Sequence, residues 1–409
     1  MTRSLLNVDD YQRGAKARLP WGLFEFVAGG TEDQCGVEEL RRAMETLRFV
    51  PPVLVDVSDR SLATELFGVK RGGPLIVAPT GSAGLMWHKG EIALAQACAA
   101  VDAPFCVSTD SITALEDIAA ASTARLWMQI YRHHDRSIAD QLIERAARVG
   151  AEAIVITVDM PVLPKREYNA RSGLVPLQLR VRTVVDMALH ARWVFNVLCR
   201  YLVDGGMPCF AHYPGEYRTP ITRLRKPQAR VADNVTWDEI ASIRRRWPGK
   251  FILKGIVRPE DALLAAEHGA DAIVVSNHGG RNLDFAVTAA SALPRVVDAV
   301  GSRLTVLADG GVRRGSDVVK LLALGAKGVM VGRAPLYGVA VGGRAGAEHV
   351  LEILNDETLR TMAYLGKTRV AALSRADLDP LSVAALTGWA SSVATAPPAS
   401  ADGRAQPPR

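Results

Sequence analysis

The stretch SNHGGR (276–281) sets an imidazole three residues before a guanidinium, with two glycines between them that let a ligand approach the backbone. An imidazole of ordinary pKa, near ~6.5, is suited to taking a proton at neutral pH, and an arginine fork is suited to a carboxylate. His278 and Arg281 therefore read as a base beside a carboxylate clamp. A second stretch, VDMPVLPKR (158–166), offers Asp159 to orient the imidazole and stabilise its protonated form, and Arg166 as a second guanidinium. Lys254 closes an apolar run, FILK, where it would serve as a Schiff-base lysine, a phosphate contact or a cation beside a bound cofactor. Two further clusters, ADGGVRRGSD (308–317) and GRA (332–334), pair glycines with arginines. A lone glycine pair reads as a tight turn. Two glycine–arginine clusters read better as a phosphate site built from backbone N–H groups and a helix N-terminus.

Groups so far apart in sequence need a scaffold that gathers them. Eight short runs rich in β-branched residues recur: LIVA (75–78), PFCV (104–107), LWMQI (126–130), AIVITV (153–158), FILK (251–254), AIVVS (272–276), TVLA (305–308) and GVMV (328–331). Helical spacing of apolar residues follows most of them, at 90–100, 113–120, 137–149, 236–247, 259–267, 288–300 and 314–324. Continuous apolar runs fit a parallel sheet covered on both faces. Strand–helix alternation repeated eight times predicts an α/β fold, the (β/α)8 TIM barrel, in preference to a doubly wound sheet. In such a barrel the side chains at the C-terminal strand ends converge. Here those are Pro79, Thr80 and Gly81; Ser108; Gln129 and Tyr131; Thr157, Asp159 and Arg166; Lys254; Ser276, His278 and Arg281; Asp309, Gly310, Gly311 and Arg313; and Gly332 and Arg333. The stretch of roughly 90 residues between the fourth and fifth strands far exceeds an ordinary connection and predicts an excursion from the catalytic face. Residues 1–70 are expected to cover the barrel, residues 1–390 to form one unit, and the Pro/Ala/Ser-rich 391–409 to be a disordered tail.

With 409 residues, 48% hydrophobic and 22% charged, the chain buries a large core. No uncharged apolar run reaches 18 residues and the N-terminus has no secretory h-region, which predicts a cytoplasmic protein. The five cysteines lack CxxC spacing and read as reduced thiols, without a metal site. The net charge of +6 is local: residues 171–232 hold ten Lys and Arg against three Asp and Glu, leaving the remainder near neutrality. That distribution argues against nucleic acid as a partner and for one local anionic contact.

These motifs, with LPxxxFEFxAGGTEDQ near the N-terminus, APTG, MQIY, TVDMPxxxKRE, LKGI, SNHGGRNLD and VGRA, resemble the FMN-dependent 2-hydroxy-acid oxidases and dehydrogenases, most of all their bacterial mandelate-oxidising members, from Asn7 to about Asp379. The resemblance implies FMN as cofactor and a mandelate-like, aromatic or bulky 2-hydroxy acid as small-molecule substrate. By position, His278 would be the base as hydride passes to flavin N5, and Asp159 would pair with its imidazolium. Arg166 and Arg281 would bind the carboxylate, and Tyr131 the substrate oxygen. Lys254 would lie near flavin N1 and O2. Pro79, Thr80, Gly81, Ser108, Gln129, Thr157 and Ser276 would line the ring system and ribityl chain, with Asp309, Gly310, Gly311, Arg313, Gly332 and Arg333 at the phosphate end. A homotetramer and a quinone or other electron acceptor also follow from the resemblance. So does peripheral contact with the inner face of the cell membrane through 171–232. The run 184–203, with Trp193, Phe195, Leu198 and Tyr201 among arginines, reads as an interfacial helix or as one packed on the barrel or a neighbouring subunit.

One position departs from the family. A tyrosine whose hydroxyl helps bind the carboxylate is replaced by Phe26. Losing a hydrogen bond to a charged group costs roughly 1.5–3 kcal/mol, about 10- to 150-fold in binding. The departure leaves two readings: weakened acid activity, or the same barrel turned to an amine, amide or modified-peptide substrate.

Overall fold

A computed structural model describes residues 5–172, 181–221, 223 and 225–388; the tail 391–409 lies outside them. Eight parallel strands close into a barrel: β1 (Leu75–Val77), β2 (Phe105–Val107), β3 (Leu126–Ile130), β4 (Ala153–Thr157), β5 (Lys250–Ile256), β6 (Ala272–Val275), β7 (Thr305–Asp309) and β8 (Gly328–Val331), with β8 pairing back onto β1. All eight expected strands and all seven expected helices form, with ends shifted by at most two residues. The strands read as apolar runs because both faces are covered. Alternate residues such as Ile76, Cys106, Trp127, Val155, Ile252, Val274, Leu307 and Met330 fill the barrel interior, and the others pack under the helices.

A hairpin, Thr64–Leu66 and Val69–Arg71, closes the N-terminal mouth, with Phe67 at its turn 5.9 Å from the Trp127 ring. Arg71 and the Trp127 indole both bind Glu152 there. The N-terminal segment covers the barrel, as expected, and it does so at the C-terminal strand ends as well. Helix Val8–Arg18 lies on the helical segment Arg333–Tyr364, which is kinked at Gly342 and Gly343; helix Trp21–Ala28 borders the cavity, and Leu40 and Met44 of helix Cys35–Thr46 press on Gly310 and Gly311.

The insertion after β4 forms helix Val181–Leu189, a break at His190, and a further helical run from Ala191 to Asp204 that contains a π turn at Val194–Leu198. Its contacts divide the residues of 184–203 between an inward and an outward face. Trp193 is buried and donates to the Leu85 carbonyl at 2.7 Å, and the Tyr201 hydroxyl accepts the Lys89 N–H at 3.0 Å. Phe195 instead points outward with Val184, Val185, Leu189 and Val203. Helical spacing alone cannot separate two apolar faces on one short helix.

Candidate active site

The strand ends converge on a cavity of about 510 Å³. Its wall includes Pro79, Thr80, Gly81 and Ser108 from β1 and β2, Tyr131 and Thr157 from β3 and β4, and Arg166 beyond β4. Lys254, His278 and Arg281 continue it, with Asp309, Gly310, Gly311, Arg313, Gly332 and Arg333 at the far end and Phe26 arching over from the N-terminal segment. Three expected residues stand one layer behind. Asp159 backs His278, Ser276 backs Lys254, and Gln129 donates to the Thr157 hydroxyl at 3.0 Å while accepting from the Thr109 N–H at 3.1 Å.

His278 projects inward from a run of three left-handed residues, with φ of 57°, 66° and 69° at His278, Gly279 and Gly280. Glycine meets that demand freely at two of the three positions, whereas His278 carries strain of order 1 kcal/mol. Its backbone N–H is held by the Ser276 hydroxyl at 2.9 Å. Its Nδ1 faces the Asp159 carboxylate at 2.9 and 3.2 Å, so Nδ1 carries the proton and Nε2 is left as the acceptor. Burial, with Lys254 and Arg166 acting in the same direction, lowers the imidazole pKa below its usual value against the opposing pull of Asp159. The ring is therefore neutral at pH 7 and ready to accept a proton.

Asp159 fits only because the chain opposite it has no side chain. A register shift in β5 puts Gly255 at φ 109°, where a Cβ would fall 2.4 Å from Asp159 Cβ. Burial works to protonate Asp159, but His278 and Lys254 outweigh it and keep the carboxyl ionised.

Lys254 Nζ lies 2.9 Å from Asp309 Oδ2 and donates to Ser276 Oγ at 2.9 Å. Burial opposes its charge, yet Asp309 and Asp159 raise its pKa, so a fixed cation faces the cavity. Among the three roles open from sequence, that favours the cation beside a cofactor over a neutral Schiff-base amine.

Arg166 donates to the Arg281 carbonyl at 3.2 and 3.3 Å. Arg281 donates to the Gly29 carbonyl at 2.9 Å and lies 5.4 Å from the centre of the Phe26 ring. Arg333 donates to the Val27, Gly279 and Gly29 carbonyls. Burial and the neighbouring Arg281 and Arg313 push Arg333 down to about 9, and burial with Arg281 brings Arg166 to about 10. Guanidiniums that lower one another's proton affinity mark a site for anions.

The far end of the cavity is open to close approach by an anion. Gly310 and Gly311 adopt φ of 92° and 76°, and Gly332 is the N-cap of the helix that starts at Arg333. Thr80 Oγ1 and Asp309 Oδ1 are buried in this wall without partners. A flat heterocycle with a polyol chain and a terminal phosphate satisfies these atoms and the arginines together, so the residues fit FMN.

Sequence reasoning missed a polar network at the other end. Asp110, just past β2, forms an ion pair at 2.8 Å with Arg225 from the insertion and accepts the Tyr213 hydroxyl at 2.9 Å. Arg225 stacks on Phe210 and Tyr213, with its guanidinium carbon 4.3 and 4.8 Å from the two ring centres. His133 Nε2 lies 3.1 Å from the Tyr213 hydroxyl. Burial lowers the His133 pKa to about 4, so that ring is neutral. Asp110 sits in STDS (108–111), directly beyond a strand end, and that position was the available signal.

Comparison with known proteins places the barrel in a family. The family described as FMN-dependent dehydrogenase matches residues 15–380. The (S)-mandelate dehydrogenase of Pseudomonas putida is 37% identical over 376 residues, covering 91% of this chain and 94% of that protein. An L-lactate dehydrogenase of Azorhizobium caulinodans is 40% identical over 377 residues, covering 90% and 97%. A crystal structure of the monotopic membrane protein (S)-mandelate dehydrogenase superposes with a TM-score of 0.86 at 36% identity, covering 92% of this chain and all of that one. The chain belongs to the FMN-dependent 2-hydroxy-acid dehydrogenase family as an FMN-dependent oxidoreductase acting on CH–OH donors.

Proposed function

We propose that this enzyme oxidises a bulky, mandelate-like 2-hydroxy acid to the 2-oxo acid, with His278 as base. The observation that carries the reading is the His278–Asp159 pair at 2.9 Å, facing the same cavity as Arg166 and Arg281. Bound FMN supplies the two-electron acceptor. His278 Nε2 takes the proton of the substrate hydroxyl, and Asp159 stabilises the resulting imidazolium. Tyr131, whose phenol is held protonated by burial and by the Asp110 and Asp159 charges, donates a hydrogen bond to the substrate oxygen. Arg166 and Arg281 fix the carboxylate, which orients the α-carbon. Lys254 holds a fixed positive charge in the cavity wall, which would favour FMN as it takes up electrons.

Electrons then leave to a quinone or a similar carrier at a membrane surface. The outward face Val184, Val185, Leu189 and Phe195 supports peripheral contact, and the cavity wall continues past Leu85, Met187, Trp193 and Leu198 toward it. No helix among the described residues is long and apolar enough to cross a membrane.

The test is anaerobic reduction of the purified yellow protein with a panel of 2-hydroxy acids. Bleaching by aromatic members, abolished in His278→Ala with FMN still bound, is the expected result. One observation favours a second reading: Phe26 offers Arg281 a ring face in place of a hydroxyl. If FMN is bound and no 2-hydroxy acid bleaches it, the substrate lacks the carboxylate, and amines and amides become the next panel.

A further inference from the structure

We propose that the Asp110–Arg225 ion pair reads the substrate's side chain, and that the side chain it fits ends in a hydroxyl group. This rests on the 2-hydroxy-acid reading above and names the substrate class more narrowly.

The four substituents of the α-carbon have separate destinations. On that reading the carboxylate goes to Arg166 and Arg281, the hydroxyl to His278 and Tyr131, and the hydrogen would be directed to bound FMN. The side chain is left with the remaining wall, which includes Asp110, Leu163, Met207, Phe210 and Arg225. Much of that wall is apolar, as an aromatic group requires. Arg223 and Arg230 also border the cavity but are exposed to solvent, whereas Asp110 and Arg225 are largely covered.

Both contacts of Asp110, from Tyr213 and from Arg225, fall on Oδ1; Oδ2 has no partner among the described residues. About a quarter of the Asp110 side chain and a fifth of Arg225 remain exposed, and both line the cavity. Asp110 is also the only acidic partner of Arg225 among the described residues. The pair therefore presents an acceptor and a donor next to each other, with no net charge of its own. An apolar group laid over them would strip their water and return nothing. A second carboxylate would be attracted by Arg225 and repelled by Asp110. A hydroxyl donates to Asp110 and accepts from Arg225, and so satisfies both.

The surroundings fix the pair in that role. Tyr213 donates to Asp110 and in turn accepts from His133, and Arg225 is sandwiched against Phe210 and Tyr213. Gly81 leaves the necessary room, since a Cβ there would lie 3.1 Å from Asp110 Cβ. The two residues are contributed by the loop after β2 and by the insertion, so the specificity element exists only when the insertion is seated on the barrel.

The experiment is stopped-flow anaerobic flavin reduction of the full chain with FMN bound, comparing (S)-mandelate, its 3- and 4-hydroxy derivatives and 2-hydroxyglutarate. Sites built to hydrogen-bond a substrate hydroxyl reject the analogue lacking it by up to ~10⁴–10⁵, and this partly open wall should give at least ~10-fold in favour of one hydroxylated mandelate. In Asp110→Leu/Arg225→Leu that ratio should fall to near unity. Equal kcat/KM for mandelate and both hydroxymandelates overturns the proposal while leaving the parent function standing. Fastest reduction by 2-hydroxyglutarate overturns it in favour of an anion bound by Arg225. Absence of reduction by every acid overturns both. The wild-type ratio decides without any variant, so misfolding of the double variant does not protect the idea.

Discussion

Replacing Asp159 with asparagine isolates what its charge contributes. Asparagine keeps the shape and a carbonyl oxygen for the His278 Nδ1–H, now 2.9 Å from the carboxylate, but removes the negative charge. With charge centres about 4 Å apart and an effective dielectric near 20, a full imidazolium would lose about 4 kcal/mol of attraction. A transition state with the proton half transferred would lose about 2 kcal/mol, a rate reduction of about 30-fold. The sign of the pH effect is also determined. His278 already sits below its usual pKa, and Asp159 is the group that raises it. Its removal lowers the pKa further, so the acidic limb of kcat/KM should move to lower pH while the plateau falls. The assay is anaerobic flavin reduction between about pH 5 and 9 on protein with unchanged FMN content. A loss under about 3-fold, or an acidic limb moving upward, would refute the electrostatic role assigned to Asp159.

Phe26→Tyr should lower KM for 2-hydroxy acids by about 10-fold or more, from the roughly 1.5 kcal/mol or more of a hydrogen bond to a charged group; an unchanged KM would show that the carboxylate does not lie beside residue 26. Gly255→Ala must place a methyl group against Asp159 at φ 109°. It should cost about 1–3 kcal/mol in thermal or denaturant unfolding and lower kcat together with stability; a neutral result would mean the β5 irregularity is not needed for the Asp159 position. Phe195→Glu with Val185→Glu should weaken sedimentation with anionic phospholipid vesicles by about 10-fold, leaving turnover with a soluble dye acceptor unchanged. Undiminished vesicle binding would assign that face to another contact.

The barrel was legible because parallel strands covered on both faces must be apolar throughout, and runs such as LWMQI and GVMV carry that requirement openly. The chemistry was legible where backbone geometry demands particular residues. The glycines of SNHGGR supply two of three consecutive left-handed positions, and those of DGGVRR let Leu40 and Met44 approach. The Asp110–Arg225 pair was hidden because its partners are 115 positions apart and each alone resembles an ordinary surface charge. The orientation of the insertion helix was hidden for a related reason: Trp193 and Phe195 are equally apolar, and only the Leu85 carbonyl decides which of them turns inward. The acceptor role of main-chain carbonyls, such as Gly29 and Val27 toward Arg281 and Arg333, leaves no trace in side-chain composition.

Those carbonyls tie assembly to ligand affinity. Arg281 and Arg333, from opposite functional ends of the cavity, share the Gly29 oxygen, which belongs to the segment lying over the barrel mouth. The anion-binding arginines are aimed only after that segment has docked, so each kilocalorie that cofactor or substrate gains from them also opposes undocking. Saturating FMN should therefore protect the amides of residues 21–31 from hydrogen exchange more than those of the distant hairpin at 64–71, making the N-terminal arm a built-in gauge of cofactor occupancy.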